Sequence, residues 1–244
     1  MLSPVFGPPR HWPSQDLIGF SEEFDAALAL EAYRAGVFPM PIDDYSADMG
    51  WWSPIRRGVM NPHELHVTRS LRKSAKRYRT TVDRAFGQVM DACADPGRKG
   101  AWIDERIRDA YTTLHQLGHV HSVEVWGADG RLVGGLYGVH QGALFAGESM
   151  FHHPELGRDA SKVALLRLVV ELLGRGITLL DVQWLTDHLG SLGAYEIPRQ
   201  AYLRRLSEAL ERPTHEWAAS QGAVLTGAEL LARWDSLSRG GTHA

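Results

Sequence analysis

Apolar residues recur at helical spacing in three long stretches of the chain, and capping residues and glycines mark their limits. Ser21 can cap the first stretch, and Gly36 ends it. The second runs between Asp104 and Gly118, and the third, which follows Asp159, is apolar almost all round. We therefore predict two amphipathic helices and one buried helix.

An alternation with a period of two replaces the helical spacing in the middle of the chain. The alternating segments are 119–126, 131–139 and 143–151. The turns between them contain Asp-Gly at 129–130 and Gln-Gly at 141–142, which predicts an antiparallel meander. A further strand, 177–185, follows the buried helix. We therefore expect a crossover unit and an α+β fold in which helices pack on a mixed sheet.

Proline, aspartate and glycine are dense between Val37 and Asn61, which is typical of loops around short strands. We place a domain boundary near Asn61. The prediction is a small N-terminal α/β domain over residues 1–61 and a mixed-sheet domain over residues 62–244. A short basic helix over 69–76 lies near the start of the second domain.

Composition narrows the class of protein to a folded chain of ordinary make-up. Of the 244 residues, 44% are hydrophobic and 23% are charged, which argues against a disordered or collagen-like chain. No run approaches the roughly 18 apolar residues of a membrane helix, and the first residues lack a signal-peptide pattern. Cys93, the one cysteine, leaves no internal disulfide. We expect a cytoplasmic protein.

Charge is unevenly distributed along the chain although the net charge is only -3. Residues 64–84 carry a net +5, whereas residues 16–48 carry a net -7. Two interpretations stay open: a pair of solvated faces, or a phosphate-binding patch on an otherwise acidic protein. The basic residues of the first segment are Arg69, Arg72, Lys73, Lys76, Arg77, Arg79 and Arg84.

Three polar residues interrupt the apolar strands of the predicted sheet. Asp181 and Gln183 are two positions apart, so they share one face of a strand that should be buried. An Asp that accepts a hydrogen bond from the Gln amide would leave the Gln carbonyl oxygen free to accept another. The alternative is a buried structural pair. Glu148 is either a third member of this group or an edge-strand carboxylate that faces water.

Other chemical motifs are incomplete. Ser149 cannot be a nucleophile-elbow serine, because Phe151 stands where the motif requires glycine. The histidine pairs at 119/121 and 152/153 lack a third ligand at metal-site spacing, so we predict no metal site. The segment before Ser161 lacks the glycine spacing of a coenzyme A or ATP cradle. We therefore expect no cofactor.

Taken together, several long motifs in order resemble the leucyl/phenylalanyl-tRNA–protein transferases, with matches from about Leu30 to Leu206. The motifs are G-V-F-P-M, W-W-S-P-x-x-R, A-W-I, H-x-H-S-V-E-V-W, L-V-G-G-L-Y-G-V, G-E-S-M-F, D-A-S-K-x-A-L-L and L-L-D-V-Q-W-L-T-x-H-L-x-S-L-G-A-x-E-I-P-R. The resemblance implies a GNAT-like catalytic domain that moves Leu or Phe from aminoacyl-tRNA to the N-terminal Arg or Lys of a protein. The product is a degradation signal. Met as a third donor stays open.

The resemblance also implies roles for individual residues. Asp181 and Gln183 would be the catalytic pair, and Glu148 would lie near the incoming peptide. The apolar pocket for the aminoacyl side chain would consist of Leu136, Phe145, Met150, Leu165, Leu168 and Leu180. Strict alternation places Phe145 and Met150 on opposite strand faces, so we predict a β-bulge near Gly147.

For the tRNA, the resemblance implies contacts with the terminal adenosine and with the phosphates. The family usually has Trp where this chain has Met40, and often Phe where it has Leu168. Two outcomes stay open: adenosine binds more weakly, or Trp51 or Trp52 compensates for the lost stacking on adenine. The tryptophan pair can equally be local packing. The predicted adenosine and tRNA contacts are Met40, Trp51, Trp52, Arg57, Arg69, Arg72, Lys73, Lys76 and Arg77.

The chemistry of ester aminolysis fits the predicted residues. Because the ester on the tRNA 3′ end is already activated, no ATP, metal or coenzyme is required. Asp181 would orient and polarise Gln183, whose carbonyl oxygen would receive the N–H of the attacking amine. We expect a monomer with aminoacyl-tRNA and acceptor proteins as partners and no membrane.

Two alternatives stay open. A GNAT acetyltransferase would need a coenzyme A loop, and a noncatalytic tRNA-binding protein gives no reason for the three polar residues.

Overall fold

The computed structural model describes residues 5–42, 48–98, 102–214, 216–217 and 220–239. These residues form an α+β protein with a small sheet and a large sheet, as the sequence predicts. The helices are α1 (Ala26–Ala35), α2 (Arg69–Ala75), α3 (Phe86–Cys93), α4 (Glu105–Gln116), α5 (Ala160–Gly174), α6 (Asp187–Ser191), α7 (Arg199–Leu210) and α8 (Gly227–Arg239). The strands are β1 (Leu17–Ser21), β2 (Phe38–Pro41), β3 (Met49–Trp52), β4 (Arg56–Met60), β5 (Arg79–Val82), β6 (Val120–Trp126), β7 (Leu132–Gln141), β8 (Leu144–His152), β9 (Leu179–Gln183), β10 (Tyr195–Pro198) and β11 (Leu225–Thr226).

The small sheet has the order β1-β3-β2, and both pairings are antiparallel. The cap predicted for α1 is wrong, because Ser21 lies in β1 and the backbone N–H of Leu28 bonds to the side chain of Asp25, at 2.7 Å. Gly36 ends the helix as predicted, since its φ of 83° is left-handed and suits glycine. Strand β2, which follows directly, is the element that this small sheet contributes to the cleft described below.

The large sheet has the order β10-β4-β9-β8-β7-β6-β5-β11. Its antiparallel meander β6-β7-β8 confirms the period-two prediction. Strands β8 and β9 pair in parallel because helix α5 connects them as a crossover. Asp159 precedes α5, but its side chain caps no backbone N–H of that helix. The mixed sheet therefore has one parallel pair near its centre.

Helices cover both faces of the large sheet. Helix α5 packs on β6, β7 and β8 and carries the core of one face. Helices α1, α3 and α4 lie against the other face, where tyrosines mix with aliphatic side chains. Helix α7 closes a third apolar cluster against β4, β8 and β9. Among the described helices, the longest has 15 residues, and none is long and apolar enough to cross a membrane.

The division of the chain near Asn61 stays a prediction, but the sheets suggest a different limit. Strand β4 pairs with β9 and β10, so Arg56–Met60 belongs to the large sheet. The small sheet ends with β3 at Trp52. We propose that the boundary lies between Trp52 and Arg56, because the hydrogen-bonded ladders separate there.

Strands β8 and β9 diverge in the middle of the large sheet. Their backbone pairing runs from Leu144 and Leu179 to Ala146 and Asp181, the last pair of this ladder. On the other side of β8, the register with β7 shifts so that Glu148 is an extra residue between Gly147 and Ser149. This confirms the predicted β-bulge. The divergence and the bulge together open a cleft between the two strands.

Candidate active site

The cleft lies where β8 and β9 diverge, and it has a volume of about 360 Å³. Its walls are mostly apolar and aromatic, with a few polar side chains among them. The lining residues are Phe38, Pro39, Met40, Trp102, Leu136, Tyr137, Gly147, Glu148, Ser149, Met150, Leu165, Leu168, Leu180, Val182, Gln183, Trp184, Thr186, His188 and Leu189. An apolar cavity with a few convergent polar groups is the usual form of a small-ligand site.

Five of the six residues predicted to form the apolar pocket line this cleft: Leu136, Met150, Leu165, Leu168 and Leu180. The bulge at Glu148 places Phe145 and Met150 on the same strand face, as the prediction required. Phe145 nevertheless lies outside the lining. Its ring is fully buried against Gly138 and lies 5.8 Å from the ring of Trp217. We therefore assign Phe145 to the core beneath the pocket.

Asp181 lies beneath the cleft and does not line it, because its side chain is fully buried. Arg57 binds it in a bidentate pair, with Nε 2.8 Å from Oδ1 and a terminal nitrogen 2.5 Å from Oδ2. Tyr202 donates a further hydrogen bond to Oδ2 at 2.7 Å. The phosphate contact predicted for Arg57 does not fit, since this side chain is 1% exposed and fully engaged. Arg57 and Asp181 are a buried ion pair.

The link between Asp181 and Gln183 differs from the predicted one. Asp181 accepts from the backbone N–H of Gln183 at 3.0 Å, whereas the Gln183 side-chain amide donates to Glu148, also at 3.0 Å. This arrangement requires a left-handed backbone at Gln183, whose φ is 58°. Such a conformation costs a non-glycine residue about 1–2 kcal/mol. The Asp181 contact helps to hold Gln183 in it.

Glu148 has a second hydrogen-bond partner, the hydroxyl of Tyr111. Its Oε2 accepts from the Tyr111 hydroxyl at 3.3 Å, and the Tyr111 and Tyr33 hydroxyls bond to each other. Burial raises the pKa of Glu148 to about 8, with a further contribution from the negative charge of Asp181 and against the lowering effect of the tyrosine hydroxyls. A carboxyl with this pKa titrates in the same range as a peptide α-amine, near 7.7–8.0.

The raised pKa of Glu148 predicts a change in the pH dependence of stability. An acid with a higher pKa in the folded state binds its proton more tightly there, so unfolding becomes easier as pH rises from about 4.5 to about 8. Replacing Glu148 with Gln should remove this loss. The wild type should lose up to about 1.4 kcal/mol per pH unit relative to the variant. Urea unfolding at several pH values measures it.

The control for this experiment is Glu208→Gln, which changes an exposed glutamate on α7. Its unfolding free energy should run parallel to the wild-type curve over the same pH range. Parallel curves for Glu148→Gln and the wild type would contradict a raised pKa at Glu148.

Residues predicted to contact adenosine are only partly in the cleft. Met40 lines it, but Trp51 is 3% exposed, so its predicted stacking on a base is wrong. Trp52 is partly buried, and its indole N–H bonds to the Met40 carbonyl at 3.0 Å. The aromatic residues that do line the cleft with accessible surface are Trp102 and Trp184. Nothing in the sequence pattern singles out these two, because Trp102 lies between α3 and α4 and Trp184 directly follows β9.

The basic residues of α2 and the segment after it lie on the outside of the protein. Arg69, Lys73, Lys76 and Arg77 are exposed. Arg72 differs, because both of its terminal nitrogens donate to the carboxylate of Asp235 on α8, one of them at 3.1 Å. Its charge is therefore partly neutralised. The predicted phosphate contacts of the other four stay predictions.

Three tyrosines of the site were missed by the sequence analysis. Tyr33 and Tyr111 occupy buried positions of α1 and α4, and Tyr202 occupies one in α7. A tyrosine at a predicted core position indicates a buried hydrogen bond, since the hydroxyl of a buried tyrosine usually has a partner. The pattern gives no means of identifying that partner.

In the described part of the chain, no three His, Cys, Asp or Glu side chains group as a metal site would require.

Comparison with known proteins supports a single family. The sequence model for the leucyl/phenylalanyl-tRNA protein transferase matches residues 59–207, and the model for its N-terminal domain matches residues 22–55. The chain belongs to this family. Its cleft is thus the candidate active site of a transferase. The match to the N-terminal domain ends at residue 55, between Trp52 and Arg56, where the sheets place the boundary that we propose.

Bacterial members of the family are close in sequence. The leucyl/phenylalanyl-tRNA–protein transferases of Shigella dysenteriae serotype 1 and Escherichia coli K12 are each 47% identical to this chain over 196 residues. The aligned part covers 79% of this chain and 80% of each relative. Among solved structures, L-PGS from Bacillus licheniformis is similar at 12% identity and a TM-score of 0.38, over 54% of this chain and 48% of that one.

Proposed function

We propose that this enzyme transfers Leu or Phe from aminoacyl-tRNA to the N-terminal Arg or Lys of a protein and so creates a degradation signal. The observation that supports the proposal best is the cleft itself. It joins an apolar pocket of aminoacyl side-chain size to the Gln183–Glu148 pair at the parting of β8 and β9. An apolar residue and a reacting ester can be held there at the same time.

The donor would bind with its side chain among Leu136, Met150, Leu165, Leu168 and Leu180. Burying a Leu or Phe side chain in such a pocket contributes about 1.5–3 kcal/mol. The terminal adenine would lie towards Met40, with the Trp184 indole beside it. Trp184 is fixed there, because its N–H bonds to Asp16 at 3.0 Å and its ring meets Phe38 edge to face at 4.8 Å. The exposed cations of α2 would hold acceptor-stem phosphates.

The reaction would be aminolysis of the aminoacyl ester. The attacking α-amine would donate an N–H to Oε1 of Gln183, because Nε2 of this residue is committed to Glu148. Glu148 thus takes the polarising role that the sequence assigned to Asp181. Asp181 would act as a positioning residue through the Gln183 backbone. As the C–N bond forms and the ester C–O bond breaks, the amine loses one proton, and the leaving tRNA 3′-oxygen takes that proton up.

The preference for a basic acceptor would follow from charge. The described residues of the segment 16–48 carry a net charge of -5, and the segment contains strand β2, which lines the cleft. A peptide whose first residue is Arg or Lys would approach this side of the enzyme favourably. The interaction would be sensitive to salt, because charges near the surface are screened within about 10 Å at 0.1 M ionic strength.

Transfer of radiolabelled Leu from charged tRNA to a model protein with N-terminal Arg tests the proposal. A matched protein with N-terminal Ala is the acceptor control. We expect label on the Arg protein and none on the Ala protein. Equal label on both would contradict the acceptor class, and no label with either, under conditions in which charged tRNA binds, would contradict the transfer itself.

A further inference from the structure

Positively charged and titratable side chains from three elements meet at one rim of the cleft. His188 of α6 lines the cleft, Lys162 lies in the first turn of α5, and His152 ends β8. Leu165 and Met150 line the same cleft; Lys162 lies one turn before Leu165 on α5, and His152 lies two positions after Met150 on β8, so both stand at the edge of the cleft. Burial lowers the pKa of His188, the positive charges of Lys162 and His152 lower it further, and the negative charge of Asp159 opposes them. The cleft wall below this rim is mostly apolar.

The rim lies between the cleft and the basic helix α2. The Ser74 hydroxyl of α2 donates to Asp159 at 2.7 Å, and Lys162 lies 3.2 Å from the other oxygen of the same carboxylate. The segment that leads into α2 is bonded to the end of α6, since the N–H of His66 donates to Leu192 at 3.0 Å. A chain that runs from the cations of α2 to the cleft passes over this rim.

We propose that Lys162 and His188 bind the phosphodiester on the 5′ side of the donor's terminal adenosine, and that His152 adds positive charge. The inference rests on the proposed function, because the phosphodiester belongs to an aminoacyl-tRNA. Lys donates from its ammonium group, and an imidazole carries an N–H donor even when it is neutral, so both side chains can bind a phosphate oxygen. An acceptor peptide with a basic first residue would be repelled by the same rim, so the phosphate explains the charges better than the acceptor does.

The carboxylate of Asp159 does not cancel the positive charge of the rim. Asp159 already bonds to Ser74 and to Lys162, which keeps the ammonium near the cleft. Lys162 is about one-third exposed, so it can reach a ligand while it stays near Asp159. A bound phosphodiester would add a negative charge beside His188 and should raise its pKa above the value in the free enzyme.

Three donors test the proposal: 3′-O-leucyl-adenosine, the same ester with a 5′-phosphate, and leucyl-tRNA. The first two differ only in the phosphate. In the wild type, we expect the 5′-phosphate to lower the donor KM by roughly tenfold, the size of one charge-assisted contact. The variant Lys162→Met removes the charge and keeps the length of the side chain. It should lose this tenfold difference, whereas Lys162→Arg should keep most of it.

The matched control is Arg204→Met, which removes an exposed positive charge on α7. It should leave the effect of the phosphate unchanged. A tenfold difference that persists in Lys162→Met would overturn the inference. So would a parallel rise of KM for all three donors in that variant, since this would place Lys162 in general donor binding.

A direct binding experiment keeps the two proposals apart. If the wild type transfers from none of the donors, the proposed function fails. The rim can then still be tested with adenosine 5′-monophosphate against adenosine, by calorimetry and by NMR titration of the His188 ring. Tighter binding of the monophosphate, a raised His188 pKa and the loss of both in Lys162→Met are expected; equal affinity for the two ligands would refute the site.

Discussion

Replacing Asp181 with Asn is expected to lower the free energy of unfolding by about 3–5 kcal/mol, because it leaves the buried guanidinium of Arg57 without a counter-charge. The pair is fully buried and bidentate, and Tyr202 completes it. Arg57 also contacts the Gly36 carbonyl and lies over the rings of Phe38 and Tyr202. No water can replace the lost charge there. Urea unfolding measures the change in stability.

The same substitution should lower kcat by about 100-fold, since Asp181 fixes the backbone that presents Gln183. The donor KM should change little, because Asp181 does not line the cleft. Measurements well below the unfolding midpoint separate this effect from the loss of stability. A kcat that stays within twofold of the wild-type value would exclude the positioning role.

Two controls accompany this prediction. In Arg57→Met/Asp181→Leu, both buried charges are removed, so part of the stability should return while transfer stays impaired. In Asp129→Asn, the same chemical change is made in an exposed ion pair with Arg131, and the unfolding curve should not move measurably. A double variant as unstable as Asp181→Asn would show that the unpaired charge is not the cause.

The second large effect is expected for Gln183→Ala, which should lower kcat by about 100-fold or more with little change in the donor KM. The side chain removed is the one whose Oε1 would accept the amine N–H and whose Nε2 is held by Glu148. Single-turnover transfer from charged tRNA measures it, because that experiment isolates the chemical step from product release.

Gln183→Gly separates the amide chemistry from backbone strain. Glycine relieves the left-handed conformation at φ 58°, so this variant should be about 1–2 kcal/mol more stable than Gln183→Ala. Its kcat should nevertheless be as low. If glycine restored the rate, the side-chain amide would have no part in catalysis, and the conformation of the loop after β9 would be the relevant property.

Local chemistry explains why much of the fold could be predicted. Helix α4 begins after Asp104, whose side chain accepts from the N–H of Ile107, and it ends before Gly118. The meander turns have glycines with positive φ at Gly130 and Gly142. These features depend on residues a few positions apart. The bulge at Glu148 was also predictable, because alternation alone could not place Phe145 and Met150 on one face.

Long-range pairing explains the errors. Arg57 and Asp181 are 124 positions apart, and Arg72 and Asp235 are 163 apart. Both arginines lie in segments with typical features of a tRNA-binding surface, and nothing nearby indicates that a carboxylate will meet them. Trp51 was misplaced for a related reason, since the pairing of β3 between β1 and β2 decides that its ring is covered.

The sequence by itself determined the family, the succession of helices and strands, and five of the six residues assigned to the apolar pocket. Periodicity shows which face of an element is buried, and capping residues and glycines show where it ends. Only the tertiary structure decided that Asp181 is a buried partner of Arg57, and that Glu148, not Asp181, accepts from the Gln183 amide. The physical reason is that a buried polar group needs a partner, but which partner it meets depends on how distant strands and helices pack.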